Sequence, residues 1–451
     1  MRTSSVVCLL ALLMAPLMPA PAAVAPSAGA GAGSAALDQA LDQAQARKAA
    51  VLIDFHAPWC YSCYFMARDV LNGAEWDAVR KRAVVIEQDV DSPAGAALQQ
   101  RWQIKALPSY LVLDAQGNEL GRILGEQTRD DFYARLNALL DRGGDLEALA
   151  RQAREGGPGA VASARAVLTA YLSRQDAQGG LGWYEGLPTA ARRQLDDDAD
   201  AQLLLARLRL LDDAQRKDRW ACVVDGEAVL AGALGCERPY ALQRYMGCIA
   251  NGESDVRTLL GAQRPAMDTL VERGAFSAGG CADQRSVVLA AADLYQALGD
   301  ADAERKLLER AIEQTRARVD GRIGDNRNLD DNLRVFMARA GDRVGVDSRL
   351  DRLMLQLIQA YPDDYVYAYR YGRALVEQDQ AQKALPWLAQ AATRAYGANR
   401  LTVAHWRAKA LLALGRRKEA GAVVAEALKA NGPWFPEQAR ELKALLSSAS
   451  S

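Results

Sequence analysis

Residues 51–66 read Val-Leu-Ile-Asp-Phe-His-Ala-Pro-Trp-Cys-Tyr-Ser-Cys-Tyr-Phe-Met, and this stretch decides the fold of the first part of the chain. An apolar run of strand length ends at Pro58 and Trp59, and two cysteines follow, Cys60 and Cys63. If the strand turns into a helix at Pro58 or Trp59, Cys60 lies at the helix start, where unpaired N–H groups and the helix dipole stabilise a thiolate. Cys63 lies one turn further on and can close a disulfide with it. The spacing therefore predicts Cys60 as a nucleophile.

The run from Asp54 to Cys63 resembles the active-site signature of the thioredoxin superfamily, and the likeness extends over residues 37–140. In detail it is most similar to the periplasmic C-terminal domain of the transmembrane thiol:disulfide interchange protein. The segments that carry the likeness are a strand at 83–86, a short helix at 94–102, Pro108 before a strand at 110–113, a turn at 115–118, a strand at 119–124 and a helix at 128–140. The resemblance implies an α/β thioredoxin-like domain over 37–142, with a central mixed sheet and flanking helices.

The resemblance also implies a redox role for the cysteine pair. Cys60 is expected to attack a substrate disulfide, and Cys63 to resolve the mixed disulfide by intramolecular attack. The alternatives are a structural disulfide or half of a zinc site. Zinc would need two more ligands, but there is no second Cys-x-x-Cys and the chain has only two histidines. We therefore predict no metal, and no cofactor other than the redox-active disulfide itself.

Four further residues complete the predicted site. Asp54 occupies the position of a buried acid beneath the resolving cysteine, where burial should raise its pKa and let it accept the Cys63 proton. Pro108 occupies the cis-proline position and would expose the backbone of Leu107 for strand-like pairing with substrate. Trp59 is expected to cover the disulfide and contact substrate. The alternatives are a solvated carboxylate, a trans proline and a packing tryptophan.

Two departures from the thioredoxin pattern affect the redox prediction. Glu87 occupies the position where many thioredoxins carry a lysine, and a second acid near Asp54 would raise at least one of the two pKa values. Tyr61 and Ser62, between the cysteines, differ from the Gly-Pro of reducing thioredoxins. The resemblance favours a reductant, whereas the sequence by itself leaves an oxidant or an isomerase open.

The N-terminus predicts export. Arg2 precedes an apolar run at 6–17 that is too short to span a bilayer, and Ala20-Pro21-Ala22 is a small-residue cleavage pattern. Residues 1–22 are therefore predicted to be a signal peptide, with a retained membrane anchor as the alternative. Residues 23–36 are rich in Ala, Gly, Ser and Pro and predict a flexible linker. The expected location is the periplasm or the exterior, without a stable membrane span after cleavage.

An exported chain can form disulfides, so the remaining cysteines are predicted to be structural. Cys222, Cys236, Cys248 and Cys281 show no Cys-x-x-Cys spacing and allow three pairings. Proximity along the chain favours Cys222 with Cys236 and Cys248 with Cys281.

The second part of the chain is predicted to be all helix. Apolar residues recur at helical spacing from about residue 145 onward, which indicates a helical domain over 145–290. In residues 291–447, a shift of 36 residues brings Ala374 onto Ala410 and Ala384 onto Ala420. The pattern resembles tetratricopeptide repeats, whose stacked helix pairs form extended concave surfaces.

The net charge and the motifs together narrow the classes of function that the sequence allows. A net charge of −1 gives no reason to expect nucleic acid as a partner. The sequence thus predicts a secreted or periplasmic thiol:disulfide oxidoreductase whose partners are disulfide-bearing proteins and a thiol–disulfide electron donor or acceptor, with the helical part as docking surface. The alternative is a protein-binding scaffold whose thioredoxin-like domain is structural and redox-inert.

Overall fold

The computed structural model describes residues 30–249 and 256–448. The predicted signal peptide, residues 1–22, lies outside the described residues. Helix α1 begins at Ala30, so the predicted linker over 23–36 is wrong from residue 30 onward. Alanine is the strongest helix former, and Leu37 is fully buried against the first domain, which explains why an Ala-rich segment becomes a helix rather than a tether.

A four-stranded mixed sheet lies at the centre of the first domain. Its strands are β1 (Ala50–His56), β2 (Ala83–Asp89), β3 (Ser109–Leu113) and β4 (Glu119–Leu124). They lie in the order β2-β1-β3-β4, with β1 parallel to β2 and antiparallel to β3, which pairs antiparallel with β4. The central position of β1 explains its nearly continuous apolar run.

Helices cover both faces of this sheet. They are α1 (Ala30–Arg47), α2 (Tyr61–Phe65), α3 (Gly73–Arg82), α4 (Pro93–Arg101) and α5 (Arg129–Leu140), with a π-helical turn over Met66–Val70. One hydrophobic cluster contains Leu37 and Leu98 from α1 and α4, and another contains Val79 and Leu136 from α3 and α5. The predicted α/β class, with a central mixed sheet and flanking helices, is confirmed.

A largely helical region follows, also as predicted. Its helices are α6 (Leu146–Glu155), α7 (Ala160–Arg174), α8 (Ala177–Glu185), α9 (Thr189–Asp196), α10 (Ala199–Arg216), α11 (Arg219–Ala231), α12 (Arg238–Ile249), α13 (Val256–Gly261), α14 (Arg264–Leu270), α15 (Gln284–Leu298), α16 (Ala301–Val319), α17 (Arg327–Arg339), α18 (Arg349–Ala360), α19 (Val366–Glu377), α20 (Ala381–Arg394), α21 (Gly397–Ala413), α22 (Arg417–Asn431) and α23 (Pro436–Ser448). A short 3-10 turn spans Gly235–Glu237, and a π-helical turn spans Val271–Ala275. We call the region from α6 to α23 the helical array.

The array does not divide where the sequence suggested. The predicted boundary between residues 290 and 291 falls inside α15, and one hydrophobic core runs from Ala206 to Ala410 across it. Near the C-terminus, α19 packs on α20, α20 on α21, and α21 on α22. Ala384 and Ala410 are fully buried, which allows the helices to approach closely. The likeness to tetratricopeptide repeats stays a prediction.

The four later cysteines form two disulfides, but the predicted pairing is wrong. Cys222 pairs with Cys248, with their Cα atoms 6.1 Å apart, and Cys236 pairs with Cys281 at 5.6 Å. The reason is helix packing: α11 lies against α12, which brings Cys222 to Cys248 and leaves Cys236, in the turn between these helices, to reach the segment before α15.

Within residues 30–249 and 256–448, each helix is too short or too polar to cross a lipid bilayer.

Candidate active site

The two cysteines of the signature form a disulfide at the start of α2. After β1 the chain turns through Ala57, whose carbonyl accepts the Cys60 N–H at 3.0 Å. Cys60 is the residue that precedes α2, and its Sγ accepts the backbone N–H of Cys63 at 3.2 Å. The Cα atoms of the pair are 5.3 Å apart. The structure thus places Cys60 at the helix start that the spacing predicts, where an N–H donor can stabilise its thiolate.

The two sulfur-bearing residues differ in exposure. Cys60 is only 5% exposed and belongs to the hydrophobic cluster on the α1 side of the sheet, whereas Cys63 is partly exposed. Leu107 packs against that same cluster, and the Leu107–Pro108 peptide bond is cis, as the resemblance implies.

Asp54 lies on β1, paired in register with Glu87 of β2. Its Oδ1 atom is buried and has no hydrogen-bond partner among the described residues. Burial, and secondarily the charge of Glu87, raise the pKa of Asp54 to about 7. A carboxyl with this pKa exchanges protons readily at neutral pH, which suits it to accept or return the proton of a nearby thiol.

Asp54 and Cys63 line one cavity of about 360 Å³. His56 and Glu87 also line it, and Tyr396 contributes to its wall from the helical array. Of the two active-site cysteines, both within the described part of the chain, the cavity reaches Cys63 and does not reach Cys60.

Trp59 lies beside the disulfide and is 39% exposed. Its indole Nε1 donates a hydrogen bond of 2.7 Å to Asp91 Oδ2, so the ring is held in place from the turn after β2. The backbone carbonyl of Asp91 accepts the N–H of Ala398, from the helical array, at 3.2 Å. The Tyr396 hydroxyl donates a hydrogen bond to the carboxylate of Asp89, the last residue of β2.

The helical array also covers the dipeptide between the cysteines. Tyr61 is only 3% exposed and lies in the core of the array rather than in that of its own domain. Its ring centroid is 5.7 Å from that of Tyr367, and the Arg370 guanidinium lies 4.6 Å from the Tyr61 centroid. Arg327 lies over the neighbouring Tyr64 ring at 4.4 Å. This aromatic and cationic enclosure fixes α2 against α17 and α19.

We call the contact of Tyr61 and Tyr64 with Arg327, Tyr367 and Arg370 the junction. Polar contacts complete it. The Asn328 side-chain amide donates to the Tyr61 carbonyl at 3.3 Å and to Glu126 Oε1 at 3.1 Å. Arg285 donates to the Ser62 hydroxyl at 3.5 Å. Burial, and secondarily Asp283, raise the pKa of Glu126 to about 7. The junction therefore holds a second buried carboxyl beside the cysteine pair.

Sequence reasoning missed these junction residues. Asn328 lies 267 positions from Tyr61, and 202 from Glu126, so no local pattern could associate them. The sequence shows a cluster of tyrosines at residues 361–371, but nothing local to it indicates a partner in the first domain. Tyr367 packs on the Tyr61 ring and also stacks on the Tyr361 ring.

Comparisons with known proteins agree with this geometry. Residues 37–140 match the family described as a thioredoxin-like domain. A protein named thiol:disulfide interchange protein DsbD from Cronobacter sakazakii is 34% identical over 108 residues, which are 23% of this chain and 18% of that protein. Proteins of the same name from Ralstonia nicotianae and a Pseudomonas species are 33% identical over 107 residues and 34% identical over 111 residues. These matches cover 23% and 24% of this chain, and 18% and 19% of those proteins.

The chain thus spans less than a fifth of the length of these relatives. The likeness, the mixed sheet and the Cys60–Cys63 disulfide at a helix start lead to the same conclusion. Residues 37–140 form a thioredoxin-like domain, which a largely helical region follows.

Proposed function

We propose that this chain is an exported thiol:disulfide oxidoreductase that reduces disulfides of partner proteins through Cys60 and Cys63. One observation carries the proposal: the disulfide lies at the start of α2, with the Cys63 N–H directed at Cys60 Sγ. That donor stabilises a Cys60 thiolate, which is the form of cysteine that attacks a disulfide.

The chemistry follows from the positions of three groups. The Cys60 thiolate attacks one sulfur of the partner disulfide, so that a mixed disulfide forms and the partner's other sulfur leaves as a thiolate. Asp54 then accepts the proton of the Cys63 thiol. The Cys63 thiolate attacks Cys60 Sγ, which closes the internal disulfide and releases the second partner sulfur. The partner gains two electrons and the cysteine pair loses two.

Two observations support the proposed partners and location. The relatives are named interchange proteins for thiols and disulfides, which supports exchange with other sulfur groups. The helical array contains two further disulfides, Cys222–Cys248 and Cys236–Cys281, and such bonds persist mainly in oxidising compartments. We propose the periplasm or the exterior as its location.

The helical array is proposed to dock the disulfide-bearing partner. Its sequential helix packing, as in α19 to α22, is the kind of arrangement that forms extended protein-binding surfaces.

Insulin reduction in the presence of dithiothreitol tests the reaction. We expect the full chain to accelerate insulin precipitation, and Cys60→Ser to abolish the acceleration. Cys63→Ala should leave Cys60 covalently bound to its partners, which mass spectrometry of non-reduced complexes would identify. A Cys60→Ser variant that is as active as the parent chain would refute the proposal.

A second candidate is a binding scaffold with a redox-inert thioredoxin-like domain. The burial of Tyr61 in the core of the array favours it, because the active-site dipeptide is itself a structural contact. Alkylation with iodoacetamide after mild reduction separates the two. Slow labelling of Cys60, together with a silent Cys60→Ser variant, would establish the scaffold.

A further inference from the structure

We propose that a cavity between β4 and the helical array binds a small organic carboxylate with a short apolar body. Neither Cys60 nor Cys63, both within the described residues, lines this cavity. The inference therefore does not depend on the proposed function.

The cavity has a volume of about 370 Å³, which is near the lower end of small-molecule sites. Residues of β4 line it from the first domain, and residues of α7, α10, α11 and α12 line it from the array. It also reaches Ala106, which directly precedes Leu107 and the cis bond to Pro108. We call it the β4 cavity. An occupant would contact both parts of the chain.

Much of the wall of the β4 cavity is apolar. Ile123 of β4, Leu210 of α10 and Val229 of α11 line it, and each is at most 3% exposed. Leu172 and Leu204 also line it and are partly exposed, so that apolar surface is left for a ligand to cover. Covering such surface removes it from water and favours binding of a hydrocarbon group.

Arginines supply the charge of the β4 cavity. Four of them line it, and two of the four have carboxylate partners. Arg122, whose side chain is 2% exposed, contacts Glu119 at 2.8 Å. Arg207 contacts Glu237 at 3.2 Å. The charges of these two arginines are therefore compensated within the protein.

The other two arginines, Arg135 and Arg244, have no ion pair within residues 30–249 and 256–448. Burial, and secondarily the charge of Arg207, lower the pKa of Arg244 from its usual value. The surroundings of Arg244 thus oppose its positive charge, and an anion beside it would offset both effects. Arg135 is exposed and Arg244 is partly buried, so the uncompensated charges extend from solvent to the cavity wall.

These two properties together define the class of ligand. A guanidinium group donates paired N–H bonds to a planar carboxylate. An inorganic anion would pair with Arg244 but leave the apolar wall uncovered, whereas a neutral apolar molecule would cover the wall but leave Arg244 unpaired. A carboxylate with a short apolar body satisfies both.

Calorimetric titration of the full chain tests the class of ligand with three probes. Hexanoate carries both the carboxylate and the apolar body, hexan-1-ol carries only the body, and acetate carries little more than the carboxylate. We expect hexanoate to bind about tenfold or more tightly than either of the others, because a hydrogen bond to a charged group contributes this much. Hexanoate should also raise the unfolding temperature, since a ligand of the folded state stabilises it.

One variant and one chemical probe locate the binding. Arg244→Met removes the charge but keeps an unbranched side chain, and should weaken hexanoate binding by about tenfold. Arg193→Met is the matched control, because Arg193 is exposed on α9 and outside the lining, and it should bind hexanoate as the parent chain does. In the parent chain, hexanoate should protect Arg135 but not Arg193 from modification by phenylglyoxal, which mass spectrometry reports.

Each contrary outcome overturns a stated part of the proposal. A parent chain that does not bind hexanoate would refute the site. Equal affinities for hexanoate and hexan-1-ol would refute the carboxylate, and equal affinities for hexanoate and acetate would refute the apolar body. Unchanged affinity in Arg244→Met, or equal protection of Arg135 and Arg193, would place hexanoate elsewhere. The comparison of probes and the protection experiment use the parent chain, so a folding defect in Arg244→Met does not affect them.

Discussion

Asp54 links the fold to the chemistry at the scale of a single residue. It lies within β1, an inner strand of the sheet, and its buried Oδ1 has no hydrogen-bond partner in the described part of the chain. An unpaired buried carboxyl destabilises the folded protein when it is ionised. The proposed role of Asp54 in proton transfer would account for such a group among apolar neighbours.

The pH dependence of stability follows from this group. The pKa of Asp54 is about 7 in the folded protein, against an ordinary value of 3.8. Between these values the folded state binds more protons, so the free energy of unfolding falls as the pH rises from about 4 to about 7, by on the order of 4 kcal/mol. Asp54→Asn should remove this loss and be more stable than the parent chain above pH 7.

Urea unfolding curves from pH 4 to pH 8 would measure this difference. Asp38→Asn, at an exposed position of α1, is the matched control and should follow the parent curve. Parallel curves for the parent and Asp54→Asn would show that Asp54 does not titrate as described.

Sequence reasoning could find Asp54 but not Glu126. Asp54 lies six residues before Cys60 in a strand whose apolar pattern predicts its own burial. Glu126 follows β4 in a polar segment, and its side chain is buried at the junction, where it contacts Asn328 and Arg285. A residue buried by a distant partner carries no local signal.

At the scale of elements, α2 and α17 form the junction between the cysteine pair and the array. The Tyr61 ring fills a site that Tyr367, Arg327 and Arg370 enclose. Tyr61→Ala should leave a cavity there and lower the free energy of unfolding by about 3–5 kcal/mol. Tyr61→Phe keeps the ring and should cost much less.

Thermal unfolding of the full chain would test this contrast. If Tyr61→Ala unfolds at the temperature of Tyr61→Phe, the ring does not hold the two elements together.

A buried ion pair joins β4 to α7. Glu119 is 4% exposed and contacts Arg122 of its own strand at 2.8 Å and Arg174 of α7 at 2.6 Å. Burial opposes ionisation, but the two guanidinium groups outweigh it and hold the pKa of Glu119 below its usual value. Its contribution to stability is therefore present above the ordinary pKa of a glutamate and is lost as the pH falls through the lowered value.

Glu119→Gln should destabilise the chain by about 3–5 kcal/mol at neutral pH, because Arg122 stays buried without its counter-charge. The matched control is Glu147→Gln, since the exposed Glu147–Arg151 pair contributes at most about 1 kcal/mol. Urea midpoints measure both. Similar midpoint shifts in the two variants would mean that the Glu119 contact is no stronger than a surface pair.

At the scale of the whole molecule, the array contacts the first domain at separate places: at α2, at β4 and at the turn after β2. Gly397 is essential to the third contact. Its φ is +52°, and a Cβ there would collide with the carbonyl oxygen of Asp91.

Gly397→Ala should detach this contact and cost more than about 1 kcal/mol. Hydrogen exchange at the Ala398 N–H, which donates to Asp91, should become faster. Gly421→Ala, in a helix with open space around the added methyl, is the control and should be neutral or slightly stabilising. Unchanged protection of Ala398 in Gly397→Ala would contradict the proposed strain.

Local sequence patterns were sufficient to predict individual strands and helices. They were insufficient to predict which distant elements pack against each other. The length of the apolar run before Pro58 predicted the first strand, the resemblance to thioredoxins implied the strand at 110–113, and the spacing of Cys60 and Cys63 predicted a helix start. The pairing of Cys222 depended on how α11 lies against α12, and the cover over Tyr61 depended on α17 and α19. Helix periodicity identifies the apolar face of an element but not the element that packs on it.

Asp91 contacts both the active site and the helical array. Its side chain holds the Trp59 indole, and its backbone carbonyl holds the Ala398 amide of the array. A substrate that displaces the indole would break a hydrogen bond to the same residue whose carbonyl accepts the Ala398 N–H. The position of the indole and the contact with the helical array therefore both depend on one short turn of the chain.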